Sequence, residues 1–307
     1  MQTILITGGS GMLGTYLSKV LLEKGYKVII VGRSKQASNQ PNLQYFTWNL
    51  ESQTIDENAI KQADVIVNLA GANVGSKRWT AKRKTEIIDS RVKAGNLIIK
   101  SLKNIPNNVR TIVQASATGW YKNNGNTANV ESEAANTDFL GSTCKLWEES
   151  ITPVEQLNKR LIIHRFGIIL SNNGGAFKEF LKPAKFKFAP ILGNGNQQVS
   201  WIHIHDAAMS ILFSIEQQHI KGIFNTVSPN VTTNKNLMHT IAKMLNGNFY
   251  FSFHVPSFLI KIIFGEMSEE VLKSTNASAL KLVEAGFNFS YPTLHDGIHH
   301  LIENKNI

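Results

Sequence analysis

Residues Ile4–Gly14 read ILITGGSGMLG: an apolar run ends at Thr7 and is followed at once by Gly8, Gly9, Gly11 and Gly14. Glycines at that spacing do three jobs, a tight turn, close backbone approach to a pyrophosphate, and tight contact between strand and following helix. An anion held there meets the free N–H groups of a helix N-terminus. The surroundings agree. Leu13, Leu17, Val20 and Leu21 have helical spacing, Gly25 closes the helix, and Lys27 to Val31 reads as a second strand. The unit predicts a dinucleotide-binding turn; the alternative is a glycine turn without a ligand.

The end of the second strand selects between dinucleotides. A site for NAD places Asp or Glu there to accept from the ribose 2′-hydroxyl, whereas Arg accommodates a 2′-phosphate. Here stand Gly32, Arg33, Ser34 and Lys35, with no acid. A carboxylate would repel the phosphate, and a guanidinium offers it a bidentate, charge-assisted contact. NADP(H) is therefore the expected cofactor, with Arg33 and Ser34 on the phosphate. The alternative for Arg33 is a solvated loop charge.

At 307 residues the chain can bury a large core, as one α/β domain or as two lobes. The net charge of +10 is scattered, densest at Lys77 to Lys84, and no polynucleotide-binding motif accompanies it. A basic cleft for a polyanionic cofactor and solvated faces account for it, so no nucleic-acid partner is expected. Cys144 is the only cysteine, which excludes an internal disulfide and a thiolate metal cluster and fits a reducing cytoplasm. It reads as a small buried apolar residue. The apolar runs Ile162 to Leu170 and Phe258 to Phe264 are too short to span a bilayer, so no membrane partner is expected. The oligomeric state stays open.

Further along, strands are expected at Leu43 to Trp48, Val65 to Leu69, Thr111 to Ser116 and Leu161 to Leu170. Helices are expected at about Lys82 to Lys103 and within Glu133 to Gln156. Continuous apolar strands alternating with helices imply a doubly wound parallel sheet, a Rossmann-type α/β fold. Residues 171–200, with Gly174, Gly175, Gly193 and Gly195, suggest loops covering a pocket. The expected division is a cofactor domain over 1–228, containing that insertion, and a smaller substrate-facing lobe over 229–307.

These motifs resemble the short-chain dehydrogenase/reductase superfamily, in its extended, epimerase/dehydratase-like branch. TGGSGMLG at Thr7 to Gly14, NLAGA at Asn68 to Ala72, ASATGWY at Ala115 to Tyr121 and WIHIHDAA at Trp201 to Ala208 carry the likeness. RWTAKRK (Arg78 to Lys84), FLGSTCKLWE (Phe139 to Glu148), HRFGIILSNNGGA (His164 to Ala176) and VPSFLIKIIFGEM (Val255 to Met267) narrow it. They are similar to a poorly characterised epimerase-like subfamily with its own C-terminal domain. The resemblance implies NADP(H) across the C-terminal strand ends and a small-molecule substrate between core and C-terminal lobe. It implies Gly8, Gly11, Met12, Leu13 and Gly14 at the pyrophosphate and Asn49 and Leu50 at the adenine. Leu69, Ala70 and Gly71 would meet the adenine-side ribose and phosphates. Arg165, Trp120 and Trp201 are further candidates for ligand contact, Arg165 on the cofactor.

Hydride transfer to a carbonyl needs a proton donor on the oxygen. The resemblance implies a Tyr whose phenol is acidified by a Lys four residues later, with a Ser on the same oxygen. Lys145 resembles that Lys, yet Gly141 stands where the Tyr belongs. Tyr121 could place its hydroxyl in the same cleft, or a substrate group or water could supply the proton. Ser116, Tyr121 and Lys145 are the candidate catalytic residues; a wall residue and an ordinary helix lysine are the alternatives for the last two. His203, His205 and Asp206 invite a metal, since in a strand the two histidines share a face, but a buried histidine or a substrate contact is preferred and no metal is expected. The expected activity is that of an NADP(H)-dependent oxidoreductase or sugar-epimerase-like enzyme on a small carbonyl or alcohol. The rival is a non-catalytic NADPH-binding sensor or regulatory scaffold, supported by Gly141.

Overall fold

The computed structural model describes residues 1–34 and 36–304; Lys35, named above beside Arg33, lies outside the described residues. The first part of the chain runs β1 (Thr3–Thr7), α1 (Met12–Glu23), β2 (Lys27–Gly32), β3 (Leu43–Asn49), β4 (Thr54–Ile55) and α2 (Glu57–Gln62). It continues through β5 (Val65–Asn68), α3 (Ala81–Asn104), β6 (Thr111–Ala117), α4 (Phe139–Glu149) and β7 (Arg160–Phe166). Then follow β8 (Ile168–Leu170), α5 (Gly175–Lys185), β9 (Phe188–Leu192), β10 (Gln198–Val199), β11 (Trp201–His203), α6 (Ile204–Glu216) and β12 (Gly222–Thr226). The last elements are β13 (Thr232–Thr233), α7 (Asn234–Asn246), β14 (Phe251–Val255), α8 (Ser257–Phe264), α9 (Ser268–Leu272), α10 (Leu280–Glu284) and α11 (Leu294–Glu303).

An eight-stranded sheet has the order β12-β7-β6-β5-β1-β2-β3-β4 and is parallel except where β4 returns antiparallel to β3. Its central strands are apolar on both faces, because each face is covered. Ile4, Ile6, Val28 and Ile30 pack towards Leu17 and Leu21 of α1 and Ile211 of α6. Their alternates Leu5, Ile29 and Val31 pack towards Ile60 of α2 and Leu97 and Ile98 of α3. The two-residue side-chain period of a strand produces this division. Each such fully buried side chain is worth about 1.5–3 kcal/mol of transfer free energy. The chain moves from β1 outward to β2 and β3, then returns to β5 on the other side of β1, which opens a crevice at the carboxyl ends of β1 and β5.

A second, smaller core contains Leu170, Phe177, Ala184, Ala189, Trp201, Leu237, Met238, Ile241, Leu294 and Ile298. It corrects two expectations. Residues 171–200 are not covering loops: they form α5 and β9, which bury Phe177, Ala184 and Ala189 against α7. The apolar run Leu161 to Leu170 is two strands, β7 in the large sheet and β8 paired with β11. The small lobe therefore draws on residues before and after α6 and β12, which belong to the large sheet and its cover. A boundary at 228 cuts through that core. A fragment ending at residue 228 is expected to lose the cooperative thermal transition of the full chain and to bind a hydrophobic dye, since α5 and β9 lose α7 and α11.

Candidate cofactor cleft and the polar network behind it

At the end of β1 the backbone turns at Gly8 with φ +68°, a conformation that strains any residue with a side chain. Space is equally restrictive. A Cβ on Gly8 would lie 2.7 Å from the Leu69 carbonyl oxygen, and one on Gly14 would lie 2.5 Å from the Gly8 carbonyl oxygen. Gly11 caps α1 without a side-chain hydrogen bond, and the helical ladder begins with the Thr15 N–H donating to the Gly11 carbonyl at 2.8 Å. The amides of Met12 and Leu13 precede that ladder, and no acid stands in the first turn. A bare, positively polarised helix end thus faces the crevice, a chemistry that fits a diphosphate. Below it the Thr7 hydroxyl donates to Asn68 Oδ1 at 2.5 Å, and Asn68 Nδ2 donates to Gln114 Oε1 at 2.8 Å. These bonds lock the ends of β1, β5 and β6 in register.

Arg33 and Ser34 follow β2 as exposed residues, and Arg33 lines a recess with Trp48, Asn49 and Asp56. Asn49 Oδ1 accepts from the N–H groups of Glu51 and Ser52 at 2.9 and 3.1 Å, which shapes the turn bearing Leu50. The loop of Leu69, Ala70 and Gly71 is backed by Arg91, of the segment SRV at Ser90 to Val92. Its Nη1 donates to the carbonyls of Ala72 and Ile87 at 3.1 and 2.9 Å, and its guanidinium lies 4.7 Å from the centre of the Trp147 ring. Burial lowers its pKa to about 10, which leaves it a cation at neutral pH.

The candidate catalytic residues divide. Ser116 and Tyr121 belong to one buried network. The Ser116 hydroxyl donates to Glu148 Oε1 at 2.6 Å, and Arg165 grips the same carboxylate through Nε at 2.8 Å and Nη2 at 2.9 Å. Arg165 Nη1 donates to the Tyr121 hydroxyl at 3.0 Å and to the Glu131 carbonyl at 3.1 Å, and the Tyr121 hydroxyl donates to Asn225 Oδ1 at 2.6 Å. The guanidinium also lies 3.7 Å from the centre of the Trp120 ring. Two expectations are corrected here. Tyr121 is 0% exposed and hydrogen-bonded on its hydroxyl, so it offers no proton to a ligand; burial pushes its pKa up to about 12. Arg165 is 1% exposed and committed to Glu148, not to a cofactor. Lys145 lies outside the network, an exposed side chain with Nζ 3.9 Å from Glu149.

The glycine in the tyrosine's place has a steric cause. A Cβ on Gly141 would sit 2.7 Å from the carbonyl carbon of Asn136 and closer still to its oxygen. Asn136 cannot withdraw freely, because its N–H donates to the Trp120 carbonyl at 2.7 Å and its side-chain amide bonds Asp138, the N-cap of α4.

Two family models match the chain: "NAD dependent epimerase/dehydratase family" over residues 4–150 and "Domain of unknown function (DUF1731)" over residues 255–301. Epimerase family protein YfhF of Bacillus subtilis is 33% identical over 99% of both chains. Epimerase family protein SSP1921 of Staphylococcus saprophyticus is 33% identical over 98% of this chain and 100% of its own. The chain belongs to the NAD-dependent epimerase/dehydratase family. Among solved structures, human epimerase family protein SDR39U1 with NADPH matches this family member with a TM-score of 0.86 at 24% identity, covering 99% and 100% of the two chains. UDP-N-acetylglucosamine 4-epimerase of Bacillus cereus matches at 0.78 and 20% identity over the whole of both chains. Both likenesses are likenesses of fold.

In this epimerase-family chain the histidine cluster is not laid along a strand. β11 ends at His203, whose Nδ1 caps α6 by accepting from the His205 N–H at 3.0 Å; its Nε2 lies 3.3 Å from His300 Nδ1. Asp206 accepts from the N–H groups of Ser290 and Tyr291 at 2.8 and 2.9 Å, so it fastens the stretch ahead of α11. Trp201 is core, its Nε1 donating to the Asn230 carbonyl. Cys144 is buried, and desolvation raises its pKa to about 12, which removes it as a nucleophile. Replacing Glu148 with Ala strands the Arg165 charge inside the protein and is expected to cost about 3–5 kcal/mol in denaturant unfolding. Tyr121→Phe, which deprives Asn225 of a donor while Arg165 keeps its other partners, is expected to cost about 1–3 kcal/mol in the same measurement.

Proposed function

We propose that this protein binds NADP(H) across the carboxyl ends of β1 and β5 and serves a small carbonyl or alcohol substrate as an oxidoreductase or epimerase-like enzyme. The observation that carries this reading is the helix end at Gly11, where amides without a cap adjoin a turn in which a Cβ at Gly8 or Gly14 has no room. The diphosphate is assigned to Gly8, Gly11, Met12, Leu13 and Gly14, the adenine to Asn49 and Leu50, and the adenine-side ribose and phosphates to Leu69, Ala70 and Gly71. Arg33 and Ser34 are assigned to the 2′-phosphate, because no carboxylate stands at the end of β2 and Arg33 borders the recess beside Asn49. The relative in the human structure, described as bound with NADPH, supports the choice of dinucleotide.

When bound, the nicotinamide supplies or accepts a hydride. On the protein side, the proton on the reacting oxygen comes from water or from the substrate, since the tyrosine position is Gly141 and Tyr121 is enclosed. Lys145, exposed on α4, is left to contact the nicotinamide ribose. Ser116 keeps Glu148 and the strand end in place.

The same crowding at Gly141 favours a second reading, a non-catalytic NADPH sensor or scaffold. Calorimetric titration and a turnover screen separate the two. Arg33→Ala is expected to weaken NADPH by roughly tenfold to a hundredfold, the worth of a charge-assisted hydrogen bond, and to leave NADH binding nearly unchanged. Equal losses for both nucleotides would remove Arg33 from the phosphate. In a screen of carbonyl compounds and nucleotide sugars, NADPH consumption identifies a reductase, and sugar interconversion without consumption identifies an epimerase. Intact binding without either outcome selects the sensor.

A further inference from the structure

Apolar side chains are exposed together on the small lobe. Phe188, Phe251 and Phe253 form one aromatic plate: the rings of Phe251 and Phe253 stack with centroids 5.9 Å apart, and Phe188 meets them edge-on at 6.5 and 6.2 Å. The plate is the outer face of the parallel pair β9 and β14, whose register sets Phe188 opposite Phe251. Burying Ala189 and Ile191 on the inner face turns these phenylalanines outward. Two more stand at its edge, Phe186 at 75% exposure just before β9 and Phe249 at 81% just before β14. Then α8 begins two residues after β14 and buries only Ile260, leaving Phe258, Leu259, Ile262 and Ile263 in solvent. A helix of eight residues with one buried side chain is not held for its contribution to the core. Exposed large apolar side chains in this number mark an interaction site.

The charge around the patch says what it fits. Between residues 180 and 265 the sequence has seven lysines and only two acids, Asp206 and Glu216, and none at all from 217 to 265. Asp206 is fully buried, and Glu216 accepts from the hydroxyl of Tyr26, in the turn between α1 and β2. Lys185 and Lys187 flank Phe186, Lys243 stands in the last turn of α7 ahead of Phe249, and Lys261 lies within α8. All four are exposed. Of the flanking acids, Glu179 is paired with Lys182 and Glu266 with Lys84, so a second copy meeting this face would set the four lysines chiefly against one another. An anionic bilayer surface answers both properties. Its headgroups attract the lysines while the aromatic and aliphatic side chains enter the boundary of the acyl region. This needs no spanning segment, so the shortness of the apolar runs does not bear on it; no helix among the described residues is long and apolar enough to cross a membrane.

We propose that the β9–β14 plate and α8 form a peripheral membrane-binding surface selective for anionic phospholipids. The test is co-sedimentation of the full chain with vesicles of phosphatidylcholine alone and of phosphatidylcholine mixed with phosphatidylglycerol. The chain is expected to pellet with the anionic vesicles and not with the neutral ones, and to be released as added salt shortens the Debye length below about 8 Å. The double variant Phe249→Ser, Phe251→Ser and the double variant Lys185→Glu, Lys187→Glu are each expected to weaken this binding by roughly tenfold or more. Both change exposed residues outside the cleft, so an unaltered melting temperature and unaltered NADPH affinity confirm that the variants are folded. Absence of binding to anionic vesicles, or equal binding to both compositions that neither variant reduces, overturns the proposal. So does a wild-type dimer in light scattering that the phenylalanine variant converts to monomer without any lipid binding, which would assign the patch to a second copy.

Discussion

Between the ends of β1 and β5 there is room for a backbone and nothing more. The carbonyl of Leu69 presses on Gly8, and the carbonyl of Gly8 presses on the first turn of α1 at Gly14. Everything at the crevice follows from that contact. It brings the uncapped end of α1 to the switch point of the sheet, holds the Leu69–Gly71 loop beside it, and leaves Arg91 to support that loop from below. The hydrogen-bonded row Thr7, Asn68 and Gln114 then keeps the three strand ends from sliding. A site that depends on backbone proximity is rigid before any ligand arrives, so little ordering entropy opposes binding.

Behind that crevice lies a buried polar network centred on one ion pair. Arg165 and Glu148 are both buried, and such a pair persists only when its remaining donors and acceptors are met. Ser116, Tyr121, Asn225 and the Glu131 carbonyl meet them. The network ties β6, β7, β12 and α4 together with the segment ahead of α4. That segment carries Asn136, whose carbonyl crowds Gly141.

Local pattern made the large sheet and the nucleotide turn legible from the residues alone. Strands β1, β2, β5 and β6 are short β-branched runs, the glycines sit at a diagnostic spacing, and α3 has a long apolar stripe capped by Thr80 and ended before Pro106. The small lobe was not legible, because Gly174, Gly193 and Gly195 dominate the reading of 171–200 while the partners that make α5 and β9 regular lie far along the chain in α7 and α11. Glu148 and Arg91 stand within motif segments, but the partner of each is not readable there, for a similar reason. A buried carboxylate or guanidinium differs from a solvated one only through what tertiary structure places beside it. Tyr121 and Arg165 were read as ligand contacts because position along a strand end says nothing about which way a side chain is already satisfied.

The interleaving of the small lobe bears on how the molecule is made. A chain emerging from the ribosome N-terminus first exposes the apolar face of α5 before α7 and α11 exist to cover it, and the large core also waits for Leu282 and Phe287 near the C-terminus. Until then the apolar faces of α5 and β9 lack their partners, and surface of that kind is prone to aggregate. Both cores therefore need the last part of the chain, which makes the C-terminal segment a closing keystone for each.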